Sequence, residues 1–176
     1  MPEFNDFLGS LGAVLSGVAA VLALLYAARQ VKASRKMAQE ANALQSHREY
    51  LSLCLVHPEL SSSILFAKAH GDLRSFDHIE EEHSRESERY LWFLTILLNN
   101  CEQVLRSTPG SKAWRTVLKE QIRYHHPVIH KVWPKWEKGY TDAVAGLVRE
   151  ALADGPEEDW VKWVKIGTDA PSNSGK

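Results

Sequence analysis

Cysteine is almost absent: two thiols, Cys54 and Cys101, serve a chain of 176 residues. Both sit in apolar surroundings without metal-ligand spacing, so a disulfide framework is excluded and reduced core thiols are expected. A basic excess is missing as well. With 21 Lys and Arg against 22 Asp and Glu, the net charge is −1; nucleic-acid binders are usually clearly basic, and that partner class is set aside. No Gly-rich phosphate loop and no nucleophile elbow around a Ser or Cys is found. Strand alternation and internal repeats are also missing, which leaves an all-α chain with one modest domain.

Histidine does not make up the difference. His126 and His130 have the i, i+4 spacing of helical zinc ligands, but Pro127 lies between them and no Glu follows the first His. Glu80-x-x-His83 is one half of a di-iron pattern whose second copy is missing. Solvated or turn-capping histidines are expected, with no metal, no cofactor and no catalytic residue.

What the chain does have is an apolar start. Residues 7–28 hold 22 positions without Asp, Glu, Lys, Arg or His. About 20 helical residues cross the hydrocarbon core of a bilayer, so the run is long enough. A cleaved signal peptide would need a basic start and a shorter apolar stretch of about 7–15 residues. Here the start is acidic, with Glu3 and Asp6, and no small-x-small cleavage site precedes Arg29. A retained single-pass anchor in the cell (inner) membrane is expected. Arg29, Lys32, Arg35 and Lys36 follow the span, which by the positive-inside rule puts the N-terminus outside and the body in the cytoplasm. These cations also suit an anionic lipid surface, where each contributes about 1 kcal/mol of attraction.

Steps of four and three from Gly9 pass through Ala13, Ser16, Ala20, Ala23 and Ala27, and Gly17 extends a small-xxx-small spacing with Gly9 and Ala13. Small residues let helices approach closely in lipid, so homo-oligomerisation or a partner membrane protein is expected along this stripe. The register runs on through Gln30, Ser34, Met37, Ala41, Leu44, Arg48, Leu51 and Leu55, with no Gly or Pro between Val18 and His57. One helix from membrane to His57 follows. Its seam either meets a second copy as a short coiled coil or packs on the rest of the domain, the use that Arg48 favours.

The body reads as helices throughout. Pro58 to His70 forms a short helix stopped by Gly71; a polar connection leads to Glu80-Glu81-Glu82, which opens a long helix reaching Arg106. Within it, residues 91–98 are hydrophobic on all sides, the pattern of a central core helix. Lys112 to His125 is amphipathic, Pro127 breaks it, and Pro134 starts a last helix running to Leu152. The organisation expected is therefore flank and anchor over 1–28, juxtamembrane helix over 29–57, helical soluble domain over 58–167 and polar tail over 168–176.

Asn99, Asn100 and Glu102 interrupt the most apolar helix. As buried polar groups they need partners, which the basic stretch 112–138 could supply, its segment from Arg115 to Arg123 in particular. Such a cluster either fixes helix register or forms a ligand or catalytic site. Trp160-Val-Lys-Trp163-Val-Lys165 either packs back on the bundle or sits at a membrane interface.

The anchor with its basic exit, His57-Pro58-Glu59-Leu60, Asn99-x-x-Glu102, and the later Trp114, Trp133 and Tyr140 together make the chain resemble uncharacterised bacterial single-pass membrane proteins. The resemblance covers most of the chain. It implies a helical cytoplasmic domain behind one anchor and carries over no catalytic residues. The function expected is a membrane-tethered, non-enzymatic binding, sensing or assembly module, against a membrane-bound enzyme or small-ligand sensor built around Asn99 and Glu102.

Overall fold

A computed structural model describes residues 2–70, 76, 79–80 and 84–156, with side chains from Leu15 onward. Among the described residues there are six α-helices: α1 (Pro2–Val56), α2 (Ser63–Ala69), α3 (Arg85–Ser107), α4 (Lys112–Arg123), α5 (His126–Trp136) and α6 (Asp142–Ala153), with 3-10 turns at Pro58–Leu60 and Glu137–Gly139. Among the described residues there is no strand. The chain falls into two compact units, Met1–Ala41 and Asn42–Lys176.

The first unit is helix only. From Leu15 to Ala41 every side chain is exposed, apolar ones included; Leu24 is 70% exposed. By length and composition α1 is the one helix among the described residues able to cross a membrane. Ser16, Gly17, Ala20, Ala23 and Ala27 all lie uncovered, and a Cβ added at Gly17 would meet nothing within 4 Å. Gly9 and Ala13 lie in α1, but their surroundings are outside the described residues. Beyond the apolar run Lys36 pairs with Glu40 at 3.8 Å, one helical turn on.

In the second unit the last turns of α1 pack through Ala43, Ser46, His47, Tyr50, Leu53 and Cys54. The choice of face is set by aromatics. Tyr50 lies 5.6 Å from Phe93 and the His47 ring meets Trp114 edge-on at 5.1 Å, contacts that bury more area than leucine alone. The seam through Leu44, Arg48, Leu51 and Leu55 therefore points outward, with Leu55 84% exposed. Packing of that seam on the body is overturned.

Three helix boundaries differ from expectation, each through a local hydrogen bond or turn. The segment after Pro58 is not one helix, because Ser62 takes an extended conformation and caps α2 by accepting from the Leu65 amide. The long helix begins at Arg85 rather than in the acidic run: Ser84 and Ser87 form a reciprocal capping box, which satisfies otherwise orphaned amides. Glu80 instead pairs with Lys135, and Glu81 and Glu82 lie outside the described residues. The helix from Lys112 does stop before Pro127, at Arg123, and Pro127 sits in the first turn of α5, where its missing N–H costs nothing. The expected helix from Pro134 to Leu152 is interrupted as well. Pro134 belongs to α5, and extended backbone at Tyr140 and Thr141 separates it from α6.

The core gathers around α3, whose Tyr90, Phe93, Leu94, Leu97, Leu98, Cys101 and Val104 are buried with Leu118 and Ile122 of α4, Val128 and Ile129 of α5, and Leu147 and Val148 of α6. Burial is not all-round. Trp92 is 68% exposed and Ile96 40%, since α1, α4 and α6 leave one flank of α3 open. Between α4 and α6 runs a ladder of ion pairs: Arg115 donates twice to Glu150 at 3.0 and 2.6 Å, and Lys119 meets Asp154 at 2.6 Å.

Candidate functional site

The antiparallel approach of α1 and α3 leaves a groove of about 520 Å³ in the second unit, within the size range of small-ligand sites. Asn42, Gln45, Glu49 and Leu53, at steps of three, four and four, form the α1 wall; Ile96, Asn99 and Gln103 form the wall on α3. Ser46, Tyr50 and Asn100 make the floor. Five of these side chains are carboxamides, and none is Lys or Arg.

Asn100 is the floor residue with the least freedom. It is 4% exposed, its Oδ1 accepts from Ser46 Oγ at 3.1 Å, and its Nδ2 has no partner. A buried amide end left unpaired is costly, on the order of 1–3 kcal/mol. At the rim Gln45 donates to Glu49 at 2.8 Å; no cation pairs with Glu49 among the described residues.

Of the three polar positions expected to be buried together, only Asn100 is. Asn99 is exposed on the groove wall. Glu102 faces a different flank, 24% exposed and paired with Arg106 at 3.0 Å, one turn along α3. The basic segment expected to partner them is engaged elsewhere: Arg115 and Lys119 bond α6, and Arg123 bonds Glu120 at 2.8 Å and the Gly155 carbonyl at 3.2 Å. These helix-to-helix contacts win because α4 lies directly against α6. Asn42, Gln45, Ser46, Glu49 and Gln103 escaped the sequence reading, although the 3-4 spacing of polar residues in α1 and the i, i+4 pair Asn99 and Gln103 were the available signal.

The thiols are held inert. Burial raises the Cys54 thiol and pushes Cys101 up to about 12, so both remain protonated and non-nucleophilic. Burial also raises the Tyr50 phenol, with Cys54 beside it adding to the effect. His126 and His130 stand 5.9 Å apart on α5, and the His126 ring is hydrogen-bonded to the Leu152 carbonyl at 3.3 Å. No group of three metal-ligating side chains occurs among the described residues. Arg89 donates to His57 Nδ1 at 2.6 Å and pairs with Glu59 at 3.1 Å, fastening the end of α1 to α3. Residues 160–165 lie outside the described residues.

Among known proteins, no family model, no curated protein and no solved structure matches this chain.

Proposed function

We propose that the chain is a membrane-tethered helical binding module without catalytic activity, its body displayed in the cytoplasm behind a single span over residues 7–28. The observation that carries this reading is the uncovered state of α1 from Leu15 to Ala28, where Leu15, Leu22, Leu24 and Leu25 are all more than half exposed. A run of exposed leucines in water is strongly unfavourable, at about 25 cal/mol per Å² of apolar surface, and lipid removes that cost. Arg29, Lys32, Arg35 and Lys36 then stand at the headgroups of the inner leaflet, which supports the N-outside orientation. The resemblance to single-pass bacterial membrane proteins agrees with this arrangement.

Self-association or pairing with another membrane protein belongs to the same proposal. The small residues Ser16, Gly17, Ala20 and Ala23 are uncovered, and so are Leu44, Leu51 and Leu55 further along α1. Both sets suit a helical neighbour.

Alkaline extraction of membranes tests the anchor. The full chain stays with the pellet, and a variant lacking residues 1–28 moves to the supernatant; release of the full chain by alkali would defeat the span. Cross-linking in native membranes tests association. A dimer band that is lost in Gly17→Leu with Ala20→Leu supports it, while a chain that remains monomeric throughout refutes it.

A further inference from the structure

We propose that His126 and His130 chelate an imidazole-seeking divalent metal, of the Zn²⁺, Ni²⁺ and Cu²⁺ class, along one edge of α5. The site needs neither the α1–α3 groove nor the membrane anchor.

The helix brings the two rings together. Pro127 lies between the histidines but occupies the first turn of α5, so the helix runs unbroken from His126 to His130. Residues four apart are then neighbours on one helical face. The core face of α5 is Val128, Ile129, Val132 and Trp133, which leaves His126 half-buried beside it and His130 exposed one turn on. Their ring centres stand 5.9 Å apart, with the planes 18° from parallel. A metal at about 2.0–2.1 Å from one nitrogen of each ring lies about 3.2 Å from each centre, so a near-tetrahedral angle sets the centres about 5 Å apart. The observed separation is within about 1 Å of that, a gap the exposed His130 closes by turning about its χ angles.

The nitrogens are also available. His126 Nε2 meets the Leu152 carbonyl at 3.3 Å. A carbonyl only accepts, so Nε2 carries the proton and Nδ1 keeps its lone pair. Ligating histidines almost always have their second nitrogen fixed on a carbonyl or carboxylate in this way, which orients the ring. No other hydrogen bond of His126 or His130 occurs among the described residues. Burial lowers the pKa of His126, with His130 and Arg123 adding to the effect against the Leu152 bond, so the proton competes weakly for this ring at pH 7. Arg123 opposes a cation here, but Glu120 pairs with it at 2.8 Å and the Gly155 carbonyl accepts from it at 3.2 Å.

Neutral imidazole selects Zn²⁺, Ni²⁺ and Cu²⁺, whereas Mg²⁺ and Ca²⁺ take oxygen ligands. Two protein nitrogens leave the remaining positions to water, since no third metal-ligating side chain joins the pair among the described residues.

Calorimetric titration of the full chain in a neutral detergent at pH 7.5 tests the site, with ZnCl₂ as the probe and MgCl₂ as the control for general cation attraction. Zn²⁺ is expected to bind saturably and Mg²⁺ to give no heat. His130→Gln replaces an exposed ring and is expected to weaken Zn²⁺ about tenfold or more, because one imidazole alone loses the chelate. Its melting temperature in EDTA is expected to equal that of the parent, which separates lost ligation from lost folding. With one equivalent of Cu²⁺, electron paramagnetic resonance is expected to show two imidazole nitrogens in the parent and one in His130→Gln. The proposal is overturned if Zn²⁺ does not saturate the parent, if Mg²⁺ binds as tightly, if His130→Gln leaves the Zn²⁺ affinity unchanged, or if the nitrogen count is the same in both proteins.

Discussion

Acidification from pH 6.5 toward 3 is expected to lower the stability of the helical body by on the order of 4 kcal/mol through one residue, His125. The side chain is fully buried at the start of α5, hydrogen-bonded through Nδ1 to the Tyr90 hydroxyl at 2.7 Å, with Nε2 unpartnered. Burial alone pulls its pKa from 6.5 down to about 3. The folded state thus resists the proton that the unfolded chain accepts, and stability is complete above pH 6.5. Between 6.5 and 3 it falls by up to about 1.4 kcal/mol per pH unit. Burial also lowers His47 and His126, which steepens the loss with the same sign. Urea titrations at pH 7.5, 6, 5 and 4 measure the slope in the full chain and in Tyr90→Phe with His125→Leu, a pair that removes both polar partners together. The double variant should lose most of the slope and change little at pH 7.5, since replacing both members of a buried bond is nearly neutral. Equal slopes in the two proteins would show that His125 is not the acid-sensitive group.

Much of the architecture was legible because helix signals are local. The uninterrupted register from the apolar run to His57 anticipated α1, which ends at Val56 just before Pro58, as a residue preceding proline should. Boundaries decided by a single side chain were harder. Ser62, Ser84 and Ser111 each accept an amide hydrogen at a helix start. In the sequence a capping serine looks like any other polar residue until the chain around it turns extended. Pro134, expected to open a helix and found inside α5, misled for a related reason. Proline ends a helix when it falls inside one and begins a helix when it falls in the first turn, and only the fold says which.

The groove was legible in part. Asn99 and Asn100 stand out as amides in an apolar run, and one of them forms its floor and the other its wall. Their supposed companion Glu102 belongs to another face of α3, about 60° or more around the helix from each, an offset that spacing at 100° per residue already contains. The α1 wall was hidden because Asn42, Gln45 and Glu49 look like an ordinary solvated helix face. That reading stays correct until α3 arrives alongside, and which face of α1 meets α3 depends on Tyr50 finding Phe93 and His47 finding Trp114. Such long-range aromatic pairings leave no periodic trace.

The same distinction between pattern and packing gives opposite outcomes for two large aromatics. Phe66→Ala is expected to destabilise the body by about 3–5 kcal/mol, the usual cost of emptying a buried aromatic site. Its ring is fully buried and stacks on Tyr90 at 4.2 Å with the planes 14° apart, with Phe76 at 6.2 Å and His70 at 4.6 Å on its other contacts. This stack joins α2 to α3 and holds Phe76 buried although its φ of 51° lies in the left-handed region, a conformation costing roughly 1–2 kcal/mol that the packing must offset. Removing the Phe66 ring withdraws that support along with its own buried area. Trp92→Ala, by contrast, deletes the larger side chain from the most hydrophobic stretch of the sequence and is expected to cost less than 1 kcal/mol, because the indole is 68% exposed. Denaturant midpoints of the two variants in the full chain decide the matter. If Trp92→Ala proves the more damaging, the open flank of α3 is covered in the native protein and the core does not centre on the Phe66 stack.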